Sequence, residues 1–598
     1  MADSHSSGDY SDVVSRRKFV SLAGTTGAAA VAGCLGGDGD SDDDGDDGTS
    51  GETYDYGEEN IWFETASGSF AVDTFQYNPA AGWFIPHSQF GVYARWAQFD
   101  YINGEFLPHL VTDWEHTDGS FVCTLAENFT WGSTGNSITA EDLALQLQIQ
   151  INNGDQLGDL ADNIEATGDY ELTVSYADDV RQDFITYSVL DRQAAFAPSI
   201  WEDEADNESP ASVEVPEPDP SGPLALTSRE SNYHRYEPRN GLENYEDDAV
   251  AGDHYNWNGY DLGYRQSNNA FHSSFEAGEL DGVHSLFADP QTLDRFPDSV
   301  RQFQIPGGFG MGIWPDHSNE PWSVREVRQA FYYSLDRTAI IENVGSSTKV
   351  EHPAPTGLTA ASVESALGSD EPEGFNSYSL DTEKAESLLS EAGYSMSDIS
   401  PTLEYPAGWS DWAVAAQAVV DQASNAGWNI SGNGNSNGPG TYAANLGDGF
   451  DLAADQHTAG GSTYTIPYFA LNYKLRNTLR EDDSSHFAGY DKNEVEIDGK
   501  TINIDETLEA LSTAPEGERE QHIRDLALVV NKDVPVFVIM EKYEQSFIDT
   551  ADFDIPPEGE LGSHASVFWP LWWLPQVSEK LSSASEEATE GLMKARTN

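Results

Sequence analysis

Cysteine is scarce in this chain, which excludes a fold held together by disulfide bonds. The two cysteines, Cys34 and Cys123, do not lie at metal-ligand spacing from other cysteines or histidines. Histidine is also sparse and unclustered along the 598 residues, so the sequence predicts no metal site and no cofactor. Uninterrupted apolar runs of about 18 residues are missing too, which excludes a protein with several membrane spans.

Basic residues are few, and this is the strongest compositional feature. The chain holds 29 Lys and Arg against 103 Asp and Glu, for a formal net charge of −74. Such a surface repels phosphate backbones, so nucleic acid is not expected as a partner. Because the acids are spread along the chain, their repulsion disfavours the compact state at low salt. Salt at about 1 M shortens the Debye length to about 3 Å and removes this cost. The composition predicts a halophilic protein.

Residues 1–34 are predicted to be an export signal. Arg16 and Arg17 form the pair of a Ser-Arg-Arg-Lys-Phe-Val motif that resembles a Tat-type signal, and a short apolar stretch follows. That stretch ends in Val-Ala-Gly-Cys34, which resembles a lipobox with Cys34 as the lipidated residue. Residues 35–55 are rich in Gly, Asp and Ser, cannot bury apolar area, and are predicted to be a disordered acidic tether. The expected location is the extracellular face of the cytoplasmic membrane.

The body of the chain alternates strand-like and helix-like patterns, which favours an α/β architecture with largely parallel sheets. Capping-box-like pairs indicate two helix starts, Thr139 with Asp142 and Ser323 with Glu326.

Other patterns predict further elements. A helix from Asp381 and another over 412–426 should end at Gly393 and Gly427. The apolar run 533–540 suits a strand buried on both faces, and Cys123 falls inside an alternating strand as a small buried hydrophobe. Residues 202–222, rich in Glu, Asp and Pro, are expected to be an extended and solvated connection.

Several blocks along the body occur in a recognisable order. They are Leu107-Pro108-His109-Leu110, Asp118-Gly119, Thr139-Ala140-Glu141-Asp142-Leu143, Gly222-Pro223-Leu224, the segments 275–281 and 323–330, and the segment 381–394. Together they resemble the signature blocks of family 5 of the extracellular solute-binding proteins, the peptide/nickel-type receptors of ABC importers. The resemblance runs from about residue 105 to 540, and the acidic composition is that of a haloarchaeon-like member.

This resemblance implies a two-lobed periplasmic-binding-protein-like (type II) α/β fold with an extra inserted domain. Lobe I would comprise 56–75, 223–303 and 535–598; the extra domain would be 76–222, and lobe II 304–534. A small-molecule solute would lie between the lobes, and ABC permease subunits would recognise the closed state. Membrane contact is expected through the lipid anchor only. No enzyme is expected, since catalytic motifs such as G-x-S-x-G and H-E-x-x-H are absent from the sequence.

The class of solute stays open on the sequence. In peptide receptors of the family, an acid about ten residues after a Phe-Asp pair binds the peptide amine. Here Phe450-Asp451 leads to Gly460 instead, and Asp455 is the nearest acid. An oligopeptide remains the first prediction, because it is the family's most common ligand. A ligand sensor without transport would use the same fold.

An oligosaccharide is the alternative. Trp409, Asp411 and Trp412 resemble a Gly-Trp-Thr-Asp-Trp motif of members that look like oligosaccharide receptors, where indole faces stack on sugar rings. The competing interpretation gives these residues a helix staple, a cap and a core position. Trp314 and His457 are further candidates for the cleft. Trp131 and Trp322 occupy family block positions and are expected in the core.

Overall fold

A computed structural model describes the main body of this chain. The described residues are 61–65, 76–81, 91–177, 180–207, 209–229, 233–239, 260–264, 268–283, 286–407, 409–435, 450–476, 488–550, 553–554 and 582–583. The predicted export signal with Arg16, Arg17 and Cys34, and the predicted tether 35–55, lie outside them. Within these ranges no helix is both long and apolar enough to cross a membrane.

The largest sheet joins strands from distant parts of the chain. Its eight described strands are β1 (Ile61–Thr65), β8 (Leu224–Arg229), β9 (Tyr233–Pro238), β10 (Tyr260–Tyr264), β11 (Gly282–Val283), β12 (Val300–Pro306), β14 (Lys349–Val350) and β21 (Glu541–Asp549). They run in the order β12-β21-β11-β1-β10-β9-β8, with β14 also paired to β21. This arrangement brings the start of β21 next to residues near 350, almost 200 positions earlier in the chain.

A second sheet has five described strands. These are β13 (Met311–Pro315), β15 (Thr402–Pro406), β16 (Ser431–Asn435), β17 (Leu452–Gln456) and β20 (Phe537–Val538), in the order β16-β15-β17-β13-β20. The third sheet is a four-stranded meander-like unit of β4 (Val111–Thr117), β5 (Ser120–Leu125), β6 (Ala161–Gly168) and β7 (Glu171–Tyr176). Three two-stranded pairs complete the strands: β2 (Ala97–Asp100) with β3 (Glu105–Pro108), β18 (Glu494–Ile497) with β19 (Lys500–Asn503), and β22 (Phe553–Asp554) with β23 (Ser582–Ser583).

Helices cover the sheets. In chain order they are α1 (Ala140–Asn152), α2 (Leu157–Leu160), α3 (Gln182–Leu190), α4 (Pro198–Trp201), α5 (Asn268–Ala277), α6 (Pro290–Leu293), α7 (Arg325–Tyr333), α8 (Arg337–Val344), α9 (Ala360–Leu367), α10 (Thr382–Ala392), α11 (Ser410–Ala426), α12 (Pro467–Arg476), α13 (Ile504–Thr513) and α14 (Arg519–Asp533).

The prediction of largely parallel sheets is wrong. Parallel pairing is found for β1 with β10 and β11, and for β15 with β16 and β17. The four-stranded sheet is antiparallel throughout, and antiparallel pairs join the rest of both larger sheets. An apolar run records that a strand is buried but not the direction of its neighbour, which explains the error.

Helix ends with a local chemical cause follow the sequence. Thr139 and Asp142 form the predicted capping box, with backbone-to-side-chain distances of 3.4 and 3.0 Å. Gly393 and Gly427 end α10 and α11 in the left-handed conformation, with φ of 84° and 114°. The second predicted box is wrong: α7 starts at Arg325 after Val324, without a side-chain cap, because a preceding turn holds the amide of Ser323 on Asn319.

Two other predicted segments are corrected. The run 533–540 is buried, but its strand is only Phe537–Val538, since Asp533 ends α14 and Val534 has a φ of 53°. The connection 202–222 contains short 3₁₀ turns, and its last residues, 219–222, are buried rather than solvated. There Asp219 accepts a hydrogen bond from the amide of Ser133 at 2.8 Å.

Aromatic side chains fill the two main cores. Trp322 is buried between α7, α11 and the five-stranded sheet, stacked on Trp428 at 6.2 Å and 13°. Trp131 and Cys123 are buried between α1 and the four-stranded sheet. The predicted core positions of these three residues are confirmed.

Two adjacent crossings connect the two larger sheets. Residues 307–310 lead from β12 to β13, and residues 539–540 lead from β20 to β21. Backbone hydrogen bonds of 2.9 Å from Gly307 to Lys542 and from Lys542 to Phe309 hold the crossings side by side. At Gly310, a Cβ atom would lie 2.2 Å from the carbonyl oxygen of Met540, so only glycine fits this close approach.

We expect Gly310→Ala to lower the free energy of unfolding by about 1–3 kcal/mol, because the added methyl must force the crossings apart. Denaturant unfolding in multimolar KCl, followed by circular dichroism, measures the change. Gly517→Ala is the matched control, since nothing lies within 4 Å of its added methyl. If Gly310→Ala is as stable as Gly517→Ala, the two crossings can move apart to accommodate a methyl group without loss of stability.

Candidate functional site

Ionisable side chains collect where the two larger sheets meet. Glu541 is the first residue of β21 after the second crossing. His457 follows directly after β17, and its amide donates to the carbonyl of Gly310 on the first crossing at 3.0 Å. His352 comes two residues after β14, which pairs with the start of β21. Three elements far apart in sequence thus bring these side chains to one point.

The three side chains are in mutual reach. Nε2 of His352 lies 3.1 Å from Oε2 of Glu541, and the two imidazole ring centres are 5.9 Å apart. One ligand atom from each residue lies within 4.8 Å of the others. Oε2 of Glu541 also accepts a hydrogen bond from the amide of Ala360 at 3.0 Å. All three side chains are buried, so this His352–His457–Glu541 cluster is a polar site enclosed by protein.

Part of the cluster lacks hydrogen-bond partners. Among the described residues, neither ring nitrogen of His457 makes a hydrogen bond of good geometry, and Oε1 of Glu541 makes none. Burial lowers the pKa of His457 well below its usual value, and the nearby Lys474 and His352 lower it further. Burial also lowers the pKa of Lys474 to about 7, an effect that Glu541 opposes. The buried site therefore favours the neutral form of the His457 imidazole.

Sequence reasoning identified only one member of this cluster. His457 was expected at the cleft, whereas His352 and Glu541 were not, and histidine was described as unclustered. The residues are separated by up to 189 positions, so no local spacing relates them. One feature of the sequence points to Glu541: it is an acid directly after the buried apolar run that ends at Met540.

A buried ion pair lies beside the cluster. Nζ of Lys349 on β14 is 3.1 Å from Oδ2 of Asp411 at the start of α11, and 4.3 Å from the ring centre of Phe287. Burial works to raise the pKa of Asp411, but Lys349 and Lys542 outweigh it and hold the pKa below its usual value. The carboxylate of Asp411, a candidate solute contact in the oligosaccharide alternative, is therefore engaged by Lys349.

The predicted tryptophans take different places. Trp412 is buried in the core around α11, while Trp409 is half-buried and meets it edge to face at 4.7 Å. In the described part of the chain, the indole N–H of Trp409 has no acceptor. Trp314 is fully buried, and its indole N–H donates to the carbonyl of Gln456 at 3.2 Å. Contact of these residues with a solute stays a prediction.

Asp455 is half-buried near the end of β17, in the region expected to carry an amine-binding acid. Burial raises its pKa to about 6, against a hydrogen bond from the amide of Gln456 at 2.7 Å. In the five-stranded sheet it pairs with Gly312 of β13. Its role as a substitute anchor for a peptide amine stays a prediction.

Another acid reaches the loop that follows His457. Oδ2 of Asp191 accepts a hydrogen bond from the hydroxyl of Ser462, two residues after Gly460. Asp191 is also ion-paired with Arg95. Sequence reasoning missed Asp191 because it follows α3, in a part of the chain 271 residues before Ser462. The position expected to carry an acid thus has one nearby, supplied by a different element.

Helix α3 also contacts the helices behind the five-stranded sheet. The ring of Phe184 lies 4.7 Å from that of Phe469 on α12. Arg181 donates to the carbonyl of Leu511 at 2.9 Å, and Arg519 is 3.2 Å from Asp183. We call this set the α3 contact. It joins the unit of the four-stranded sheet to the helices α12, α13 and α14.

Comparison with known proteins identifies the family to which this chain belongs and the solved structures that share its fold. Residues 105–476 match the family described as "Bacterial extracellular solute-binding proteins, family 5 Middle". No curated protein matches the chain in sequence. Many solved structures resemble it in fold.

One similar structure is a periplasmic oligopeptide-binding protein of an oligopeptide ABC transporter from Thermotoga maritima. It is 18% identical, covers 88% of this chain and 100% of its own, and has a TM-score of 0.70. The mannohexaose-bound form of that protein is 17% identical, with coverages of 88% and 99% and a TM-score of 0.66. The oligopeptide-binding protein AppA from Bacillus subtilis, in complex with a nonapeptide, is 14% identical, with coverages of 88% and 99% and a TM-score of 0.62.

These likenesses confirm the predicted two-lobed periplasmic-binding-protein fold. Because the sequence identities are 18% or less, these structures inform only the fold. The solute of this chain must be argued from its own residues. The junction of the two larger sheets, with its buried acids and bases, is the part of the fold where that argument applies.

We expect Asp411→Ala to lower the free energy of unfolding by about 3 kcal/mol or more, because it leaves the buried ammonium of Lys349 without its partner. Thermal and denaturant unfolding measure the loss. Asp421→Ala, at an exposed position of the same helix, should change stability by less than about 0.5 kcal/mol. The double variant Lys349→Met/Asp411→Leu removes both charges and should recover most of the lost stability. If it does not, the unpaired ammonium of Lys349 is not the cause of the loss.

Proposed function

Because this chain belongs to family 5 of the bacterial extracellular solute-binding proteins, the substrate receptors of ABC importers, we propose that it captures an oligopeptide-class solute between two lobes and delivers it to a permease. The observation that carries the proposal is the doubly crossed junction, where buried ionisable groups of both signs stand between the two larger sheets. A peptide brings an amine, a carboxylate and a hydrogen-bonding backbone, and such groups need charged and polar partners when they leave water.

The proposed cleft lies between lobe I (56–75, 223–303 and 535–598) and lobe II (304–534), with 76–222 as the extra domain. The strands of the eight-stranded sheet come mainly from the first set of ranges, and those of the five-stranded sheet from the second, apart from β20. Two short crossings between such units are suited to hinge closure, the motion that makes a loaded receptor distinguishable to a permease.

Acids near the loop after His457 support a peptide amine as one recognised group. Asp191 reaches Ser462 and Asp455 lies at the end of β17. The Bacillus subtilis neighbour holds a nonapeptide. Either acid could pair with an amine in a water-poor cleft, where a charge-assisted hydrogen bond is about twice as strong as a neutral one.

An oligosaccharide is the second candidate, and one observation favours it. Trp409 is half-buried, so part of its indole surface is accessible for stacking on a sugar ring. The mannohexaose-bound Thermotoga maritima structure shows that a saccharide is held by a protein of similar fold.

We also propose that the receptor is a lipoprotein exported by a Tat-type route in a high-salt habitat. The motif with Arg16 and Arg17, the lipobox ending at Cys34 and the acidic tether 35–55 stand in the order that such an address requires. The lipid at Cys34 is then the one membrane contact, and the tether gives the lobes reach toward the permease.

The solute class is tested by thermal unfolding in multimolar KCl against tri- to hexapeptides and cello-, malto- and xylo-oligosaccharides. A ligand at 100 times its dissociation constant adds about 2.7 kcal/mol of stability, so a binding peptide should raise the midpoint clearly. N-acetylated peptides should give a smaller rise, because the blocked amine no longer pairs with an acid.

A rise with saccharides alone, lost in Trp409→Ala but kept in Trp114→Ala, would replace the peptide by the oligosaccharide. Trp114 is the matched control because it is also half-buried but lies on the four-stranded sheet. No rise with any member of either panel would contradict both proposals.

The anchor is tested by cell fractionation. We expect Cys34→Ala to move the protein from the membrane fraction to the medium, because the acyl acceptor is lost, while the solute-dependent rise in midpoint stays unchanged. Arg16→Lys/Arg17→Lys should instead keep the precursor inside the cell. Membrane retention of Cys34→Ala would show that another feature anchors the chain.

A further inference from the structure

We propose that His352, His457 and Glu541 form a binding site for a divalent transition-metal ion of the zinc class at the junction of the two larger sheets. The proposal concerns a resident ion and does not depend on which solute the receptor carries.

The donor set fits such an ion. Two imidazoles and one carboxylate supply ligand atoms that all lie within 4.8 Å of one another. Tetrahedral zinc with bonds of about 2.0–2.2 Å needs its ligand atoms roughly 3.4 Å apart, so each side chain must move by only about 1 Å. Calcium and magnesium prefer six or more oxygen ligands, which one carboxylate cannot supply. The two nitrogens therefore select a transition metal.

An ion would also satisfy atoms that are otherwise unpaired. Across the described ranges, neither ring nitrogen of the fully buried His457 makes a hydrogen bond of good geometry, the backbone of Met540 being its one weak contact, and Oε1 of Glu541 makes none. Leaving a buried polar atom unpaired is unfavourable, and native proteins rarely collect several such atoms at one point.

An ion-pair network without metal is the competing explanation. In it, Glu541 is hydrogen-bonded to His352 and interacts electrostatically with Lys474, which also acts on His457. That network engages Oε2 of Glu541 but leaves His457 with only the weak backbone contact to Met540. Metal coordination uses His457 as well, which is why we favour it.

The surroundings are those of a supported metal site. Oε2 of Glu541 is held by the amide of Ala360, and the backbone of His457 is fixed on Gly310. Outer contacts of this kind orient ligands before the ion arrives. Three protein donors leave one tetrahedral position open, as in zinc sites that accept a further ligand.

The position gives the ion a mechanical role. His457 ends a strand of the five-stranded sheet, and Glu541 begins a strand of the eight-stranded sheet. An ion shared between them would add a cross-link beside the two crossings and stabilise the folded junction.

The test uses the full chain in multimolar KCl, freed of metal by a chelator and then titrated with Co²⁺, with Zn²⁺ as competitor. We expect one Co²⁺ per chain, a visible absorption band typical of nitrogen-coordinated tetrahedral cobalt, and displacement by Zn²⁺. Zn²⁺ should also raise the unfolding midpoint.

His457→Gln and Glu541→Gln should each weaken Co²⁺ binding at least tenfold, whereas His116→Gln should not. His116 is the matched control because it lies on the four-stranded sheet, bonded to Tyr176 and Thr186. Weak binding of Co²⁺ to surface carboxylates is recognised by its insensitivity to His457→Gln and by the absence of the nitrogen-ligand band.

A wild-type chain that retains no Co²⁺ or Zn²⁺ after gel filtration would overturn the proposal. Retention with an unchanged band in both His352→Gln and His457→Gln would overturn it too. If a variant fails to fold, as judged by circular dichroism without metal, the wild-type stoichiometry and band decide by themselves.

Discussion

The two crossings between the larger sheets are the constraint on which the rest of the structure depends. They are backbone segments of two to four residues, held together by hydrogen bonds from Gly307 and Lys542 and packed too closely at Gly310 for any side chain. The elements that carry His457, Glu541 and Lys349 are positioned from them. His457 is hydrogen-bonded to the first crossing, Glu541 directly follows the second, and β14 with Lys349 pairs with the strand that Glu541 begins.

A second constraint is the scarcity of cations in a chain of net charge −74. Several of them are placed where an acid is buried, as in the pairs Lys349–Asp411, Arg192–Asp155 and Arg235–Asp261. Asp533 at the end of α14 is surrounded by Arg325, Arg328 and Lys492. Acids on the surface can be screened by salt, but a buried acid needs a partner within the protein. The basic residues in these pairs are therefore structural.

The sequence was sufficient wherever a feature has a local cause. The ends of α10 and α11 follow from Gly393 and Gly427, the start of α1 from Thr139 and Asp142, and the fold from ordered family blocks. The directions of strand pairing were not predictable, because they follow from the topology of the chain and not from the side-chain pattern of a strand. The antiparallel pair β13 and β17 is an example.

The site was predictable only in part, for a similar reason. His457 could be suspected from its place after a strand, but His352, Glu541 and Asp191 become neighbours of that loop only through long-range packing. Asp411 is a candidate solute contact or helix cap on the sequence, since nothing near it indicates Lys349, which lies 62 positions earlier and pairs with it in the interior.

The α3 contact has a consequence for how the link between the unit of the four-stranded sheet and helices α12, α13 and α14 responds to salt. Its polar part is the pairing of Asp183, with side-chain exposure of 26%, to Arg181 and Arg519. The same concentrated salt that relieves repulsion over the acidic surface weakens this partly exposed pairing. Packing of Phe184 on Tyr468 and Phe469 is not screened. In brine, the α3 contact therefore depends mainly on aromatic packing.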